Sequence, residues 1–215
     1  MSINRLSTLG AGRRGFTIIE LIVFIVIVAV ALVGVLSVLN LTSQHNADPI
    51  ITKQMQAIAE TYLEEVSSMP FTYCDPSDPN VYTATSTVYT AANAGLNGSS
   101  CSTAANVENV GAMGPKNGET RASTTAPFNN VMDYGPSFPS TGTSVAQTLT
   151  GTTYVGHNNN PYYVAVTIAT DGALGPGALP VPAAAALHIQ VVVTNGNNSL
   201  TLDGYRTRYA PNAVP

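Results

Sequence analysis

From Phe16 to Leu39 the chain reads FTIIELIVFIVIVAVALVGVLSVL, an apolar run with Glu20 as its one charged residue. As a helix it would be about 36 Å long, enough to cross a bilayer core of about 30 Å. A water-soluble core helix has no need of apolar side chains on every face over such a length. A secretory signal peptide has an apolar stretch of only about 7–15 residues, followed by a small-residue cleavage site. This run is too long, and no A-x-A site follows it. A plain signal anchor explains length and orientation but not Glu20. A carboxylate within a membrane segment costs about 2.5–3.5 kcal/mol on the insertion scale, so such a residue calls for a partner and a purpose.

Charge placement fixes the orientation. Arg5, Arg13 and Arg14 are the only charges before Phe16. A basic head ahead of an apolar run stays in the cytoplasm. Without those three, five of the eight basic side chains remain against twelve acidic ones, a balance of −7. That acidic remainder argues against nucleic-acid binding. Charged residues make up only 9% of the chain, where about 25% is usual. A polar, weakly charged surface fits export. In an exported domain the two cysteines, Cys74 and Cys101, are expected to form a disulfide, with a loop-entropy contribution of about 3–4 kcal/mol.

The residues around the start of the run are Arg13-Arg14-Gly15-Phe16-Thr17-Ile18-Ile19-Glu20-Leu21. They resemble the prepilin signal of type IV pilins and type II secretion pseudopilins. That signal is a basic leader ending in Gly, then Phe, Thr and apolar residues, with Glu fifth in the mature chain. The resemblance implies cleavage between Gly15 and Phe16 by a prepilin peptidase and N-methylation of Phe16 by the same enzyme. It also implies pairing of Glu20 with the mature N-terminal amine of a neighbouring subunit. The expected organisation is a cleaved leader over 1–15 and a transmembrane helix over 16–39. An amphipathic extension over 40–69 and an exported β-rich head over 70–215 follow. The expected location is the inner membrane, single-pass, with the head in the periplasm, and then a pilus or pseudopilus.

Beyond the membrane run, Asp48-Pro49 reads either as an N-cap followed by Pro at the first helical position or as a kink in one long helix. Ile51, Met55, Ile58, Tyr62, Val66 and Met69 recur at helical spacing, so this half should pack its stripe on a sheet. Gly34 and Ser37 in the membrane helix would suit close helix contacts or local loosening, and the sequence does not choose. Pro70 predicts a helix end near Ser68. Residues 71–160 are turn-rich, with short strands expected near Tyr82–Thr90 and Thr152–Val155. Tyr162–Ala169 and Leu187–Thr194 alternate as strands. Asn195-Gly196 signals a hairpin, and Ser199–Tyr209 supplies the partner strand, interrupted at Asp203-Gly204. The fold class expected is α+β: a pilin-like long N-terminal helix packed on a C-terminal antiparallel sheet.

The head also resembles the MSHA minor pilin group typified by MshD. Gln54-Met55-Gln56-Ala57-Ile58-Ala59-Glu60, Phe128-Asn129-Asn130-Val131-Met132-Asp133-Tyr134 and Leu202-Asp203-Gly204-Tyr205-Arg206-Thr207-Arg208-Tyr209 carry that likeness. Met132 stands where the group more often has an acidic residue. The resemblance implies a minor subunit of an MSHA-like type IV pilus, supporting assembly or attachment, with other pilin subunits as partners. The alternatives are a minor pseudopilin of type II secretion and a DNA-uptake component.

No enzyme constellation emerges. His45, His157 and His188 lie in unlike contexts, and no H-E-x-x-H, Walker A or G-x-S-x-G pattern occurs. No cofactor and no metal are expected. Some pseudopilins bind calcium, and Asp75, Asp78, Asn80 and Asp171 offer oxygens, but EF-hand spacing fails. Such residues in turns usually cap their own backbone. Tyr162, Tyr163, Tyr205 and Tyr209 suit either a contact patch or sheet packing. Arg206 and Arg208, with Arg121 near, read as a solvated strand face in preference to a DNA-binding patch.

Overall fold

The computed structural model describes residues 15–95, 99–156, 159–177 and 181–214, with side chains described outside 40–48 and 94–95. Arg5, Arg13, Arg14 and His157, and the side chain of His45, lie outside the described residues. The chain divides into two compact units, Met1–Asp48 and Pro49–Pro215.

One helix, α1, runs Ile18–Ser68 and carries Pro49 inside it. Pro49 thus lies within the helix and not at its first position. In the first unit, Ile18–Leu39 is long and apolar enough to cross a membrane. Every side chain described from Phe16 to Leu39 is exposed. The one hydroxyl at Ser37 is satisfied within the helix, donating to the Val33 carbonyl at 2.9 Å. Among the described residues, apart from the helix's own adjoining backbone, no atom comes within 4 Å of where a Gly34 Cβ would stand.

In the second unit the same helix becomes amphipathic. Met55, Ile58, Ala59, Tyr62 and Val66 are buried, with Ile51, Leu63 and Met69 packed at the margin. They meet an antiparallel sheet ordered β1–β3–β4–β5. The strands are β1 (Ser137–Phe138), β3 (Tyr163–Thr170), β4 (Ala186–Asn195) and β5 (Asn198–Thr207), and β2 (Ser144–Val145) also pairs with β3. Register places Val164 opposite Val193, Val166 opposite Val191 and Ile168 opposite Ile189. These rows are the sheet's buried face. Each such side chain contributes about 1.5–3 kcal/mol of burial. The chain is therefore α+β, a long N-terminal helix followed by an antiparallel sheet.

The β4–β5 hairpin closes over Gly196-Asn197, with Asn195 opposite Asn198 and Gly196 at φ +59°. The expected break at Asp203-Gly204 is absent, since β5 pairs with β4 through both residues. Gly204 is needed there for a packing reason: a Cβ on it would stand 2.7 Å from Leu63 Cδ1 of α1.

Between helix and sheet lies a loop module. Its small core is Cys74, Val81, Ala84, Cys101 and Val107, and Cys74 is joined to Cys101 by a disulfide. The strand expected over 82–90 does not form. Val81 and Ala84 are the buried residues there, three apart, which suits a turn and not a strand. Asn80 O accepts from Thr83 N and Ala84 N. At Thr152–Val155 there are only single bridges, Gln147 to Thr153 and Val155 to Pro161.

Candidate functional site

Gly15, Phe16 and Thr17 precede α1 as irregular chain, and Phe16 is 83% exposed. Among the described residues, apart from its chain neighbours, none comes within 4 Å of the point where a Gly15 Cβ would stand. The Gly15–Phe16 peptide bond precedes the helix, between a residue without a side chain and an exposed aromatic. A protease can approach such a backbone closely. Thr17 then starts the helix: its Oγ1 accepts from Glu20 N at 3.3 Å, and its carbonyl accepts from Leu21 N at 3.1 Å. Threonine is a favoured N-cap because it satisfies one of the helix's free amides. Glu20 falls in the first turn, where a carboxylate interacts favourably with the helix dipole. The cap places Glu20 in the first turn, while Phe16 stands ahead of the helix.

A family model describing a prokaryotic N-terminal methylation motif matches residues 10–36. The chain carries that motif. It supports a type IV pilin-like or pseudopilin protein and implies processing by a prepilin peptidase and assembly with other pilins. The motif, with the one membrane-length apolar helix among the described residues, fits a single-pass inner-membrane protein. No curated protein and no solved structure matches the chain.

In the head, the pilin-like helix is fastened by a buried ion pair that sequence spacing did not reveal. Arg121 Nη2 and Nε donate to Glu65 Oε2 and Oε1 at 2.6 and 2.8 Å. The two side chains are 6% and 8% exposed. Tyr134 Oη also donates to Glu65 Oε1, Arg121 Nη1 donates to Gln147 O at 2.9 Å, and the guanidinium lies 4.2 Å from the Tyr62 ring centroid. Burial lowers the Arg121 pKa, but the hydrogen bonds and charge of Glu65 outweigh it and leave it raised. Burial pushes the Tyr134 hydroxyl well above its ordinary value.

The expected arginine face is corrected by this geometry. Arg121 is committed to Glu65, and Arg206 and Arg208 do not lie on a solvated face. Arg206 Nη2 donates to Met69 O at the end of α1 at 3.1 Å, and its guanidinium lies 5.0 Å from the Tyr209 ring. Arg208 stacks 3.9 Å over Phe71 and donates to Ala184 O and Glu108 O. Burial lowers its pKa to about 10. These arginines tie the last strand to the chain leaving the helix.

The tyrosines divide. Tyr162 is buried, with its hydroxyl on Gln54 Oε1 at 2.5 Å, whereas Tyr163, Tyr205 and Tyr209 are exposed. His188 pairs with Asp203 at 2.8 Å beside Tyr205. Asp75 Oδ1 accepts from Ser77 N and Oγ, and Asp171 Oδ1 accepts from Ala173 N. Asp78 accepts from Asn80 N, Ser102 N and Oγ, and Asn106 Nδ2. Burial would raise its pKa, but these donors hold it below the ordinary carboxylate value. Among the described residues, no three His, Cys, Asp or Glu side chains are gathered as a metal cluster.

Proposed function

We propose that this chain is a minor subunit of an MSHA-like type IV pilus, with a role in assembly and attachment and none in catalysis. Prepilin peptidase cuts after Gly15 and methylates Phe16, and the mature helix inserts among other pilin helices in a filament. The observation that carries the reading is the fully exposed apolar segment Ile18–Leu39, with Glu20 in its Thr17-capped first turn just after Gly15-Phe16-Thr17. A membrane shelters that segment before assembly, and neighbouring subunit helices shelter it afterwards. A freed amine on Phe16 would sit at the positive end of its own helix, an unfavourable place for a cation. Glu20 of an adjacent subunit offsets that charge. The pair therefore works as a register device, because any other axial offset buries a lone ion. Such subunits add head-to-tail without closing a ring. The head, outside the membrane in the periplasm, caps, primes or decorates the fibre.

The minor-pilin assignment draws on the MshD-like residues of the head. The same N-terminal logic serves a minor pseudopilin of type II secretion, which is the second reading. A DNA-uptake role has less support, since Arg121, Arg206 and Arg208 are each engaged within the head. Deletion of the gene separates the readings. Loss of surface fibres and attachment with normal exoprotein release supports the pilus, and loss of exoprotein release with normal fibres overturns it.

A further inference from the structure

The two edges of the sheet end differently. The outer side of β3 is closed by β1 at Val166 and Thr167 and by β2 at Tyr163 and Val164. On the other side β5, ten residues long, is the last strand. Hairpin geometry fixes which of its backbone groups face outward. Asn195 and Asn198 flank the two-residue turn as a hydrogen-bonded pair, and such pairs alternate along an antiparallel ladder. Ser199, Thr201, Asp203 and Tyr205 therefore turn their N–H and C=O groups away from β4. Among the described residues, none donates to or accepts from these groups.

A row of unpaired edge groups is a template for another strand, and proteins guard such rows with Pro, Lys, bulges or a covering loop. β5 has no Pro, no Lys and an unbroken register, and Ser199, Thr201, Asp203 and Tyr205 are exposed. Its one basic side chain, Arg206, turns to the helix and donates to Met69 O. What surrounds the edge is acidic. Asp203, with a side chain 49% exposed, lies on the solvent face beside His188 and Gln190. Tyr205 follows it on the same face, a ring on which a cation can rest. On the other face Leu63 of α1 packs at Gly204. Glu60, three residues earlier on the helix and exposed, stands on the same flank. Leu200 and Leu202 are only partly buried beside the core, so inward side chains of an added strand would cover them.

We propose that β5 takes up an extended segment of another protein chain by strand addition, and that this segment carries Lys or Arg toward Asp203, Tyr205 and Glu60. The backbone of the added strand supplies affinity, and its alternating side chains supply specificity. A second copy of this chain is the poorer occupant. Antiparallel self-pairing centred on Leu202 makes the two Asp203 side chains diagonal neighbours, an unfavourable like-charge contact.

The test uses the full chain in detergent and a blocked synthetic peptide of about seven residues alternating valine and lysine, long enough for one strand. A twin peptide has glutamate in place of lysine. The lysine peptide should bind at least roughly tenfold more tightly than its twin. On its addition, hydrogen exchange at the amides of Ser199, Thr201, Asp203 and Tyr205 should slow by about tenfold, with Leu200 and Leu202, already bonded to β4, little changed. Thr201→Pro removes an outward donor without touching the β4 ladder and should weaken binding by about tenfold. Should that variant fail to fold, Asp203→Lys gives a second reading, a preference turned toward the glutamate peptide. Equal binding of the two peptides, no alternation in the protected amides, or a preference unchanged in both variants overturns the proposal. Protection of the same amides by self-association, before any peptide is added, gives the edge to a second copy and overturns it too.

Discussion

The two halves of α1 bury apolar surface in different ways. Pro49–Ser68 has an apolar stripe, and the stripe is already covered by β3 and β4. Ile18–Leu39 is apolar on every face and wholly exposed. The first case is solved within the chain. The second leaves a demand that only lipid or other chains can meet. A helix satisfied on one face specifies a fold, and a helix unsatisfied on all faces specifies an environment. The placement of acids follows the same division. Glu65 in the head half has Arg121, Tyr134 and a near-ideal geometry. Glu20 in the exposed half is held by a cap on its own backbone, and its charge partner is proposed to come from outside.

The comparison breaks most readily at Glu20. Glu20→Gln and Glu20→Ala should leave membrane insertion intact and reduce incorporation into filaments at least tenfold. Membrane fractionation beside immunoassay of sheared fibres reads this. Equal incorporation of both variants would mean that the two acids do not differ in kind. The head's own acid is tested by Arg121→Ala, which strands Glu65 and should cost about 3–5 kcal/mol. That is seen as a Tm loss of roughly 6–20 °C at about 2–4 °C per kcal/mol. Replacing both Glu65 and Arg121 with apolar residues of similar volume should cost much less. A double variant as unstable as the single one would show that the pair itself, and not the stranded charge, matters.

A third effect is pH-dependent and belongs to the head alone. Glu108, Asp133 and Glu119 have pKa values raised by burial. Groups whose folded pKa is raised contribute stability that is present below their unfolded values, near 4, and lost as pH rises through the folded ones. Tm of the full chain in detergent should fall by several degrees from pH 5 to pH 9. Glu108→Gln should flatten the upper part of that fall. The smallest effect sharpens the contact between helix and sheet. Gly204→Ala presses on Leu63 and should cost about 1–3 kcal/mol. Leu63→Ala in the same chain should recover part of that loss relative to the two single changes added.

Where the sequence has dense periodicity, the fold was legible. The helix stripe, its end at Ser68, the strands around Tyr163–Thr170 and Ala186–Asn195, and the Asn195-Gly196 turn all follow from spacing and turn chemistry. Two-residue strands such as Ser137–Phe138 carry no period and were not seen. Gly204 reads as a break by composition, because only the structure brings Leu63 against it. Arg206 and Arg208 alternate as a solvated face would, but Phe71, Met69 and Glu108 cover them from far along the chain. The Glu65–Arg121 pair spans 56 residues, and the acids at 75, 108, 119 and 133 share no motif. At the N-terminus the reverse holds: Gly15, Phe16 and Glu20 are a local signal, readable without any fold.

One measurement bears on all of this most directly, the N-terminal sequence and intact mass of the protein purified from membranes of a host with active prepilin peptidase. The polypeptide should begin at Phe16, with a methyl group on its amine. A chain that still carried Arg13, Arg14 and Gly15 under those conditions would have no freed amine to meet Glu20, and the proposed mode of assembly would be wrong.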